Sequence, residues 1–416
     1  MTFSALGLCD VLLKAVVEQG YTAPSSIQNK AIPAVLSQRD VMAVAHTGTG
    51  KTASFTLPML QLLSVGPEPQ PQNVRALIIT PTRELAAQVA SNVKDYSRHM
   101  NIRSAAVFGG VRIEPQISEL QLGLDVLVAT PGRLIDIYNQ QAISFEQLEM
   151  LVLDEADRML DLGFIDDIRR IQMLLPSKRQ TLMFSATFSQ EIKSLAKGML
   201  NNPLLLEVVA AKRTVDSIVQ KLHPVDKERK TELLIHLIKK NNWHQVLVFS
   251  RTKHGADNLV LQLEKANVSA ASIHANRTQH ARTGALDGFK NRNIIALVAT
   301  DIASRGIDVN QLPCVVNYDL PYVPEDYVHR IGRTGRAGKS GLAISLFSEE
   351  ESKQLQSIER LIGRKFEREL IPNFVPCKKA SANSSDNDDD EYGNFEADSK
   401  QQRRTQSKGR GSRGRK

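Results

Sequence analysis

The stretch Ala45-His46-Thr47-Gly48-Thr49-Gly50-Lys51-Thr52 has the composition of a loop that holds phosphates. Glycines let successive backbone N–H groups turn toward one anion, and a helix starting just after the loop adds its positive end. In such a loop Lys51 meets the β- and γ-phosphates of a nucleotide, and Thr52 offers its hydroxyl to Mg2+. Ala45 stands where the general pattern has its first glycine. Taken alone, the stretch also reads as an ordinary glycine-rich turn. Further along, Leu151-Val152-Leu153 runs into Asp154-Glu155-Ala156-Asp157. A carboxylate at the end of a buried strand suits a cation, which assigns Asp154 to the metal and leaves Glu155 to orient and activate a water. An acidic helix start would explain this run by itself; paired with the upstream loop, nucleotide hydrolysis explains it better. A third group, His329-Arg330-Ile331-Gly332-Arg333-Thr334-Gly335-Arg336, repeats arginine at a three-residue spacing. Guanidinium groups stabilise the charge that develops on a transferred phosphoryl group, so Arg330 and Arg333 are candidates for that role. The plainer alternative is a basic surface loop for any polyanion.

Residues so far apart in sequence need rigid elements to hold them. Short apolar runs at Val41 to Val44, Ala76 to Ile79, Val126 to Val128, Leu151 to Leu153 and Thr181 to Phe184 read as strands buried on both faces. Amphipathic stretches between them read as helices, and the alternation predicts a parallel sheet covered by helices. The pattern restarts after about residue 215, with strands expected at Gln245 to Phe249, Ile294 to Val298, Cys314 to Asn317 and Leu342 to Phe347. The phosphate loop and acidic run belong to the first set, the arginines to the second. The expected organisation is a first α/β domain over residues 1–207, a linker over 208–217, a second α/β domain over 218–377 and a tail over 378–416. With the arginines on their own domain, hydrolysis would depend on closure of the two.

Composition narrows the setting. The chain has 416 residues, 42% hydrophobic and 24% charged, enough for two soluble domains. Its net charge of +8 favours polyanions, nucleic acid first among them. The three cysteines, Cys9, Cys314 and Cys377, are scattered and form no metal-binding or disulfide pattern, which fits a reducing compartment. The first residues lack a signal-peptide pattern, and no apolar run approaches the ~20 residues that span a bilayer, so a cytoplasmic protein is expected. From about Lys378 aliphatic residues disappear; an acidic cluster at Asp388 to Glu391 gives way to the Arg/Gly-rich end Lys408 to Lys416. Such a segment cannot bury enough surface to order itself. It is either an RNA-binding tail or a solubilising one.

These elements, in this order, resemble the DEAD-box RNA helicase family of superfamily 2, from Phe3 to about residue 350, and within it the bacterial RhlE-type members. The resemblance implies two tandem RecA-like domains. It also implies that Gly20-Tyr21, Pro24 and Ile27-Gln28 form the adenine-reading Q motif, with Gln28 on the base edge and Phe3 stacked on the ring; Ser25-Ser26 replaces the more usual Thr-Pro. His46 stands where many members have Gln. Pro81, Arg83, Gly110, Thr130 and Arg133 are similar to the RNA-contacting motifs of the first domain, and Arg251, Gln279, Arg282 and Thr300 to those of the second. Ser185 and Thr187, with Asp157 and His329, match the network that couples nucleotide state to RNA. Asp308 would meet the ATP ribose. What the resemblance implies is an ATP- and Mg2+-dependent enzyme that grips RNA through sugar and phosphate and locally unwinds short duplexes. Ribosomal precursors or RNA-turnover proteins would be its partners. An ATP-gated RNA clamp with little unwinding, a DNA-dependent motor on the same fold, and a P-loop ATPase unrelated to nucleic acid are the alternatives.

Overall fold

The computed structural model describes residues 2–45, 49–208, 218–304, 312–335 and 341–377. The expected linker, apart from Val208, and the whole tail lie outside the described residues, as do His46, Thr47, Gly48 and Asp308. Residues Met1–Pro376 form one compact unit. It contains two α/β sheets, each flanked by helices.

The first sheet has seven strands: β1 (Val41–Ala45), β2 (Val74–Ile79), β3 (Ser104–Val107), β4 (Leu124–Ala129), β5 (Met150–Leu153), β6 (Gln180–Ser185) and β7 (Leu204–Val208), in the order β3-β4-β2-β5-β6-β1-β7. All neighbours pair in parallel, for example Val41 opposite Leu182 and Leu77 opposite Leu151. The second sheet has six: β8 (Ile218–Pro224), β9 (Val246–Phe249), β10 (Ala270–Ile273), β11 (Ala296–Ala299), β12 (Cys314–Asn317) and β13 (Gly341–Phe347), in the order β10-β11-β9-β12-β13-β8, again all parallel.

Parallel strands need helical crossovers, so both faces of each sheet are covered and the central strands are apolar on successive residues. Alternation along the strand then sorts the side chains into separate cores. Val41 and Ala43 point into one apolar cluster and Met42 into the other; Ala76 and Ile78 share the first, Leu77 and Ile79 the second. In the second sheet Val246 and Val248 pack on one side and Leu247 and Phe249 on the other.

The strands missing from the sequence reading are β3, β7, β8 and β10, which are the edges of the two sheets. An edge strand is covered less completely, so its apolar signal weakens. In β10 only Ser272 and Ile273 are buried, and β8 carries an exposed Val219 between buried ends.

An ion pair crosses the interior of the first sheet. Arg75 on β2 is 3% exposed and bonds Asp125 on β4 at 2.9 Å, Glu149 at 2.7 Å and the Leu63 carbonyl at 2.8 Å. Asp125 also accepts the Arg103 N–H at 2.9 Å. Removing Asp125 takes away the buried partner of Arg75 and leaves only the exposed Glu149 and the Leu63 carbonyl to compensate its charge. Asp125→Ala is expected to cost about 3 kcal/mol or more, read by urea unfolding; a loss below about 1 kcal/mol would show that the pair is dispensable.

Candidate active site

In parallel α/β sheets, ligands bind outside the carboxyl ends of the strands. Most candidate residues the structure describes lie there or on a helix starting there; Phe3 and Gln28, near the N-terminus, and Arg333, past the end of the helix Pro324–Ile331, do not. β1 ends at Ala45, and the helix Lys51–Leu63 begins after Gly50, whose φ of 89° is left-handed. A Cβ at Gly50 would stand 2.5 Å from the Gln28 amide nitrogen, so both conformation and space demand glycine. Gln28 braces this turn: its amide nitrogen donates to the Gly50 carbonyl at 3.2 Å, and its oxygen accepts the Ser25 N–H at 2.8 Å in a capping box. Phe3, expected against adenine, is only 6% exposed, whereas Tyr21 is 38% exposed and stacks on it with ring centroids 6.3 Å apart. The Tyr21 hydroxyl is fixed to that of Tyr96 at 2.8 Å. The accessible ring is therefore Tyr21, with Phe3 behind it. The sequence reading placed Tyr21 in the motif but gave it no role.

Two charged residues that follow strands of the first sheet are buried. Lys51 and Asp154 are 6% and 2% exposed, and the Lys51 ammonium and Asp154 Oδ1 are buried with no hydrogen-bond partner. Burial raises the Asp154 carboxyl from 3.8 to about 6, against the opposing pull of Lys51. Thr52 is half-buried in the first turn of the same helix as Lys51. Glu155 caps the helix Ala156–Asp161 in the left-handed region at φ 55°, a strained setting for a residue with a side chain. Burial alone would raise its carboxyl, but Arg158, Lys51 and Arg333 together hold it below the ordinary range.

Asp157 is the junction between neighbouring segments. Its Oδ2 accepts the N–H groups of Ala186 and Thr187, both at 3.0 Å, and Oδ1 accepts that of Arg158 at 3.0 Å. Ser185 is buried and its hydroxyl accepts the Thr187 N–H at 3.3 Å. Glu155, Asp157, Arg158, Asp161 and Ala186 share a small cavity of about 40 Å³ with His329 and Arg333 from the second sheet's side. A space of this size takes roughly one or two waters.

Arg330 does not share it. This arginine, expected beside Arg333 in phosphoryl chemistry, is 2% exposed and packed over the Phe249 ring at 4.9 Å. Its guanidinium makes a bidentate pair with Asp301 at 2.5 and 2.7 Å and donates to Asn317 Oδ1 at 3.1 Å and to the Asp319 carbonyl at 2.6 Å. The three-residue spacing put both arginines in the running, but the helix Pro324–Ile331 turns Arg330 into the interior, while Arg333 lies beyond its end.

A second constellation joins the sheets. Thr82, Thr252 and Thr278 cap helices that follow β2, β9 and β10, each side chain accepting an N–H of the first turn. Pro81 is buried, and Arg83 lies against Gly110, whose φ of 78° and closeness to the Arg83 guanidinium leave no room for a side chain. Arg133 donates to the Val111 carbonyl at 3.0 Å, while its Nε and Nη1 are buried without hydrogen-bond partners. Thr130 and Thr300 end β4 and β11 and are each 8% exposed. Glu84, to which the sequence reading gave no role, receives Gln279 at 3.1 Å and Arg282 at 3.0 Å across the two sheets. Arg251 is held by Glu351 at 2.7 Å and the Leu320 carbonyl at 3.2 Å and lies 4.6 Å over the exposed Tyr322 ring. Glu351 is itself buried and also pairs with Lys230 at 2.6 Å.

A scan against family models matches residues 25–195 to the DEAD/DEAH box helicase family and residues 229–338 to the helicase conserved C-terminal domain. The chain is 41% identical over 373 residues to the DEAD-box ATP-dependent RNA helicase RhpA of Helicobacter pylori, covering 90% of this chain and 75% of that protein. It is 39% identical to the ATP-dependent RNA helicase RhlB of Pseudomonas syringae, covering 90% and 96%. Among solved structures, Saccharomyces cerevisiae Dbp5 bound to RNA and ADP BeF3 is similar in fold, with a TM-score of 0.78, 32% identity and coverage of 90% and 95%.

Two outcomes test this geometry. Folding raises the Asp154 carboxyl from 3.8 to about 6, so its charged form destabilises the ligand-free protein. The penalty is absent below the lower value, grows as pH rises between the two, and is complete above the higher one. Asp154→Asn should therefore stabilise the ligand-free protein at pH 8 by up to about 3 kcal/mol while abolishing ATP turnover. Unchanged stability would mean that Asp154 is well solvated. Arg330→Ala should lower unfolding stability by about 1–3 kcal/mol, because it takes the donor away from the buried Asn317 side chain and from the Asp319 carbonyl; wild-type stability with slowed hydrolysis alone would return Arg330 to the chemical step.

Proposed function

The chain belongs to the DEAD/DEAH box helicase family, and from that premise we propose a mechanism in which ATP and RNA are gripped together across the two sheets. The protein is an ATP-dependent RNA helicase and an ATP hydrolase. The observation that carries the mechanism is the cavity in which Glu155 of the first sheet's side meets His329 and Arg333 of the second.

The proposed mechanism takes 1–207 and 218–377 as two RecA-like domains joined through 208–217, with 378–416 as a tail. Adenine is read by Gln28 and stacks on Tyr21, which Phe3 supports. The loop from Ala45 through His46, Thr47, Gly48, Thr49 and Gly50 holds the phosphates, Lys51 neutralises them, and Asp308 takes the ribose. The Lys51 ammonium supports this assignment: it is buried with no hydrogen bond, attracted only electrostatically by Asp154 and Glu155, so its donors are open to a ligand. Asp154 and Thr52 would hold Mg2+. The buried, unpartnered Asp154 oxygen fits that ion, and among the described residues no cluster of three acidic or histidine groups forms a complete cage. Mg2+ takes one or two protein ligands and fills the rest with water and phosphate. When bound, it neutralises charge on the phosphate oxygens.

Glu155 orients a water and accepts its proton as the water oxygen attacks the γ-phosphorus and the bond to the β–γ bridging oxygen breaks. Arg333 stabilises the charge that spreads over the transferred group. Arg330 instead supports the loop structure from which Arg333 projects. RNA lies along the capped helix starts, where N–H groups and positive dipole ends face phosphates. Pro81, Arg83, Gly110, Thr130 and Arg133 serve on the first domain, and Arg251, Gln279, Arg282 and Thr300 on the second. Contacts of this kind read the backbone, with the 2′-hydroxyl distinguishing RNA from DNA. Asp157 ties the Ser185–Thr187 segment to His329, so nucleotide state and RNA grip change together. The RhlE-type character, a cytoplasmic setting, and work on ribosomal precursors or with RNA-turnover proteins complete the reading. Among the described residues, no helix is long and apolar enough to cross a membrane.

The test is ATP hydrolysis with RNA, with matched single-stranded DNA and with neither, in the parent protein and in Lys51→Ala and Glu155→Gln. Stimulation by RNA alone is expected, with turnover absent in the first variant and reduced ~10²–10⁴-fold in the second. Equal stimulation by DNA would overturn the RNA reading. ATP-dependent RNA retention without strand separation would make the protein a clamp.

A further inference from the structure

Glu155 is surrounded by cations. Arg158 Nη1 bonds its Oε2 at 2.5 Å, with the two side chains 9% and 10% exposed. Lys51 and Arg333 also attract it. Those two are the cations a nucleotide's phosphates require. A glutamate has enough side-chain freedom to swing onto either, and in a buried site such a pairing would be strong. A carboxylate lodged there would neutralise the phosphate-binding charge and lie away from the water. The backbone adds its own constraint, because Glu155 occupies the left-handed region at the strand-to-helix junction. Arg158 sits one turn along the same short helix, so it travels with Glu155 and not with the second sheet.

We propose that Arg158 is a positioning residue for hydrolysis: it clamps one oxygen of Glu155, turns the other toward the water in the cavity, and keeps the carboxylate off Lys51 and Arg333. The cavity supports this geometry, since Glu155, Arg158, Arg333 and His329 all line it and it has space for roughly one or two waters. Arg158 takes no proton and makes no bond to the substrate; it acts through Glu155. The inference rests on the reading of Glu155 as the base.

The experiment is a double-mutant cycle on RNA-stimulated ATP hydrolysis in the full chain, using Arg158→Ala, Glu155→Gln and the pair, with Arg158→Lys as the conservative variant. Arg158→Ala should lower kcat about 10–100-fold, part of the ~10²–10⁴-fold that a general base supplies. KM for ATP should stay within about twofold, because the phosphate-binding groups are untouched. Arg158→Lys should recover part of the loss. In the Glu155→Gln background, removing Arg158 should cost nothing further, since residues that act as one unit are not additive. A merely structural role would lower stability and affect both backgrounds alike. An unchanged or raised kcat in Arg158→Ala, or a loss that adds in full to that of Glu155→Gln, overturns the proposal. Failure of the underlying reading is separately visible, as wild-type turnover in Glu155→Gln alone.

Discussion

Lys51 and Asp154 are a buried cation and a buried carboxylate, each with an atom that no protein group satisfies. Interiors rarely tolerate this, because a charge removed from water needs a partner. The arrangement makes sense when a polyphosphate and its cation complete it, and much of the first sheet serves that end. The parallel order sets β1 and β5 side by side with β6 between them, so Lys51, on the helix that follows one strand, and the carboxylates after the other lie on the same side of the sheet. Gln28 braces the turn at Gly50. Glu155 accepts a left-handed backbone so that it can stand beside Asp154.

The site is incomplete without the second sheet. Arg333 and His329 reach the cavity from the second sheet's side, and buried Arg330 fixes this region through Asp301, Asn317 and Asp319. On the other side, Gln279 and Arg282 meet Glu84. Gln279 and Arg282 are also among the residues proposed to contact RNA, so in that mechanism RNA grip and hydrolysis both depend on the sheets coming together. Within the first sheet Asp157 holds the backbone of Ala186 and Thr187, the contact through which the proposed mechanism couples the two functions.

Much of this was legible in the sequence, for identifiable reasons. Central strands such as Ala76 to Ile79 and Val246 to Phe249 are buried on both faces and stand out as unbroken apolar runs. The edge strands β3, β7, β8 and β10 lack that full cover and left a fainter trace. Glycine and charged residues in fixed order marked the loop and the acidic run. Spacing could not separate Arg330 from Arg333, because a three-residue interval says nothing about where a helix ends and which side chain then turns inward. Phe3 and Tyr21 posed the same difficulty: both are aromatic, and only packing decides which ring is covered. Glu84 and Arg158 were missed because their partners are a second sheet and a strained neighbour, neither visible in local pattern.

In the proposed mechanism, ATP and RNA together bring the two sheets into the arrangement that completes the cavity. Fluorescence energy transfer between dyes at the exposed Met173 of the first sheet's side and Leu361 of the second's measures this directly. Both sites would be replaced by cysteine in a chain whose Cys9 and Cys377 are changed to serine; Cys314 is buried, which raises its thiol pKa and leaves it unreactive. A single short-distance population is expected only when a non-hydrolysable ATP analogue and RNA are both present, and it should be lost in Arg333→Ala. The same distance with either ligand alone, or no change with both, would contradict the mechanism.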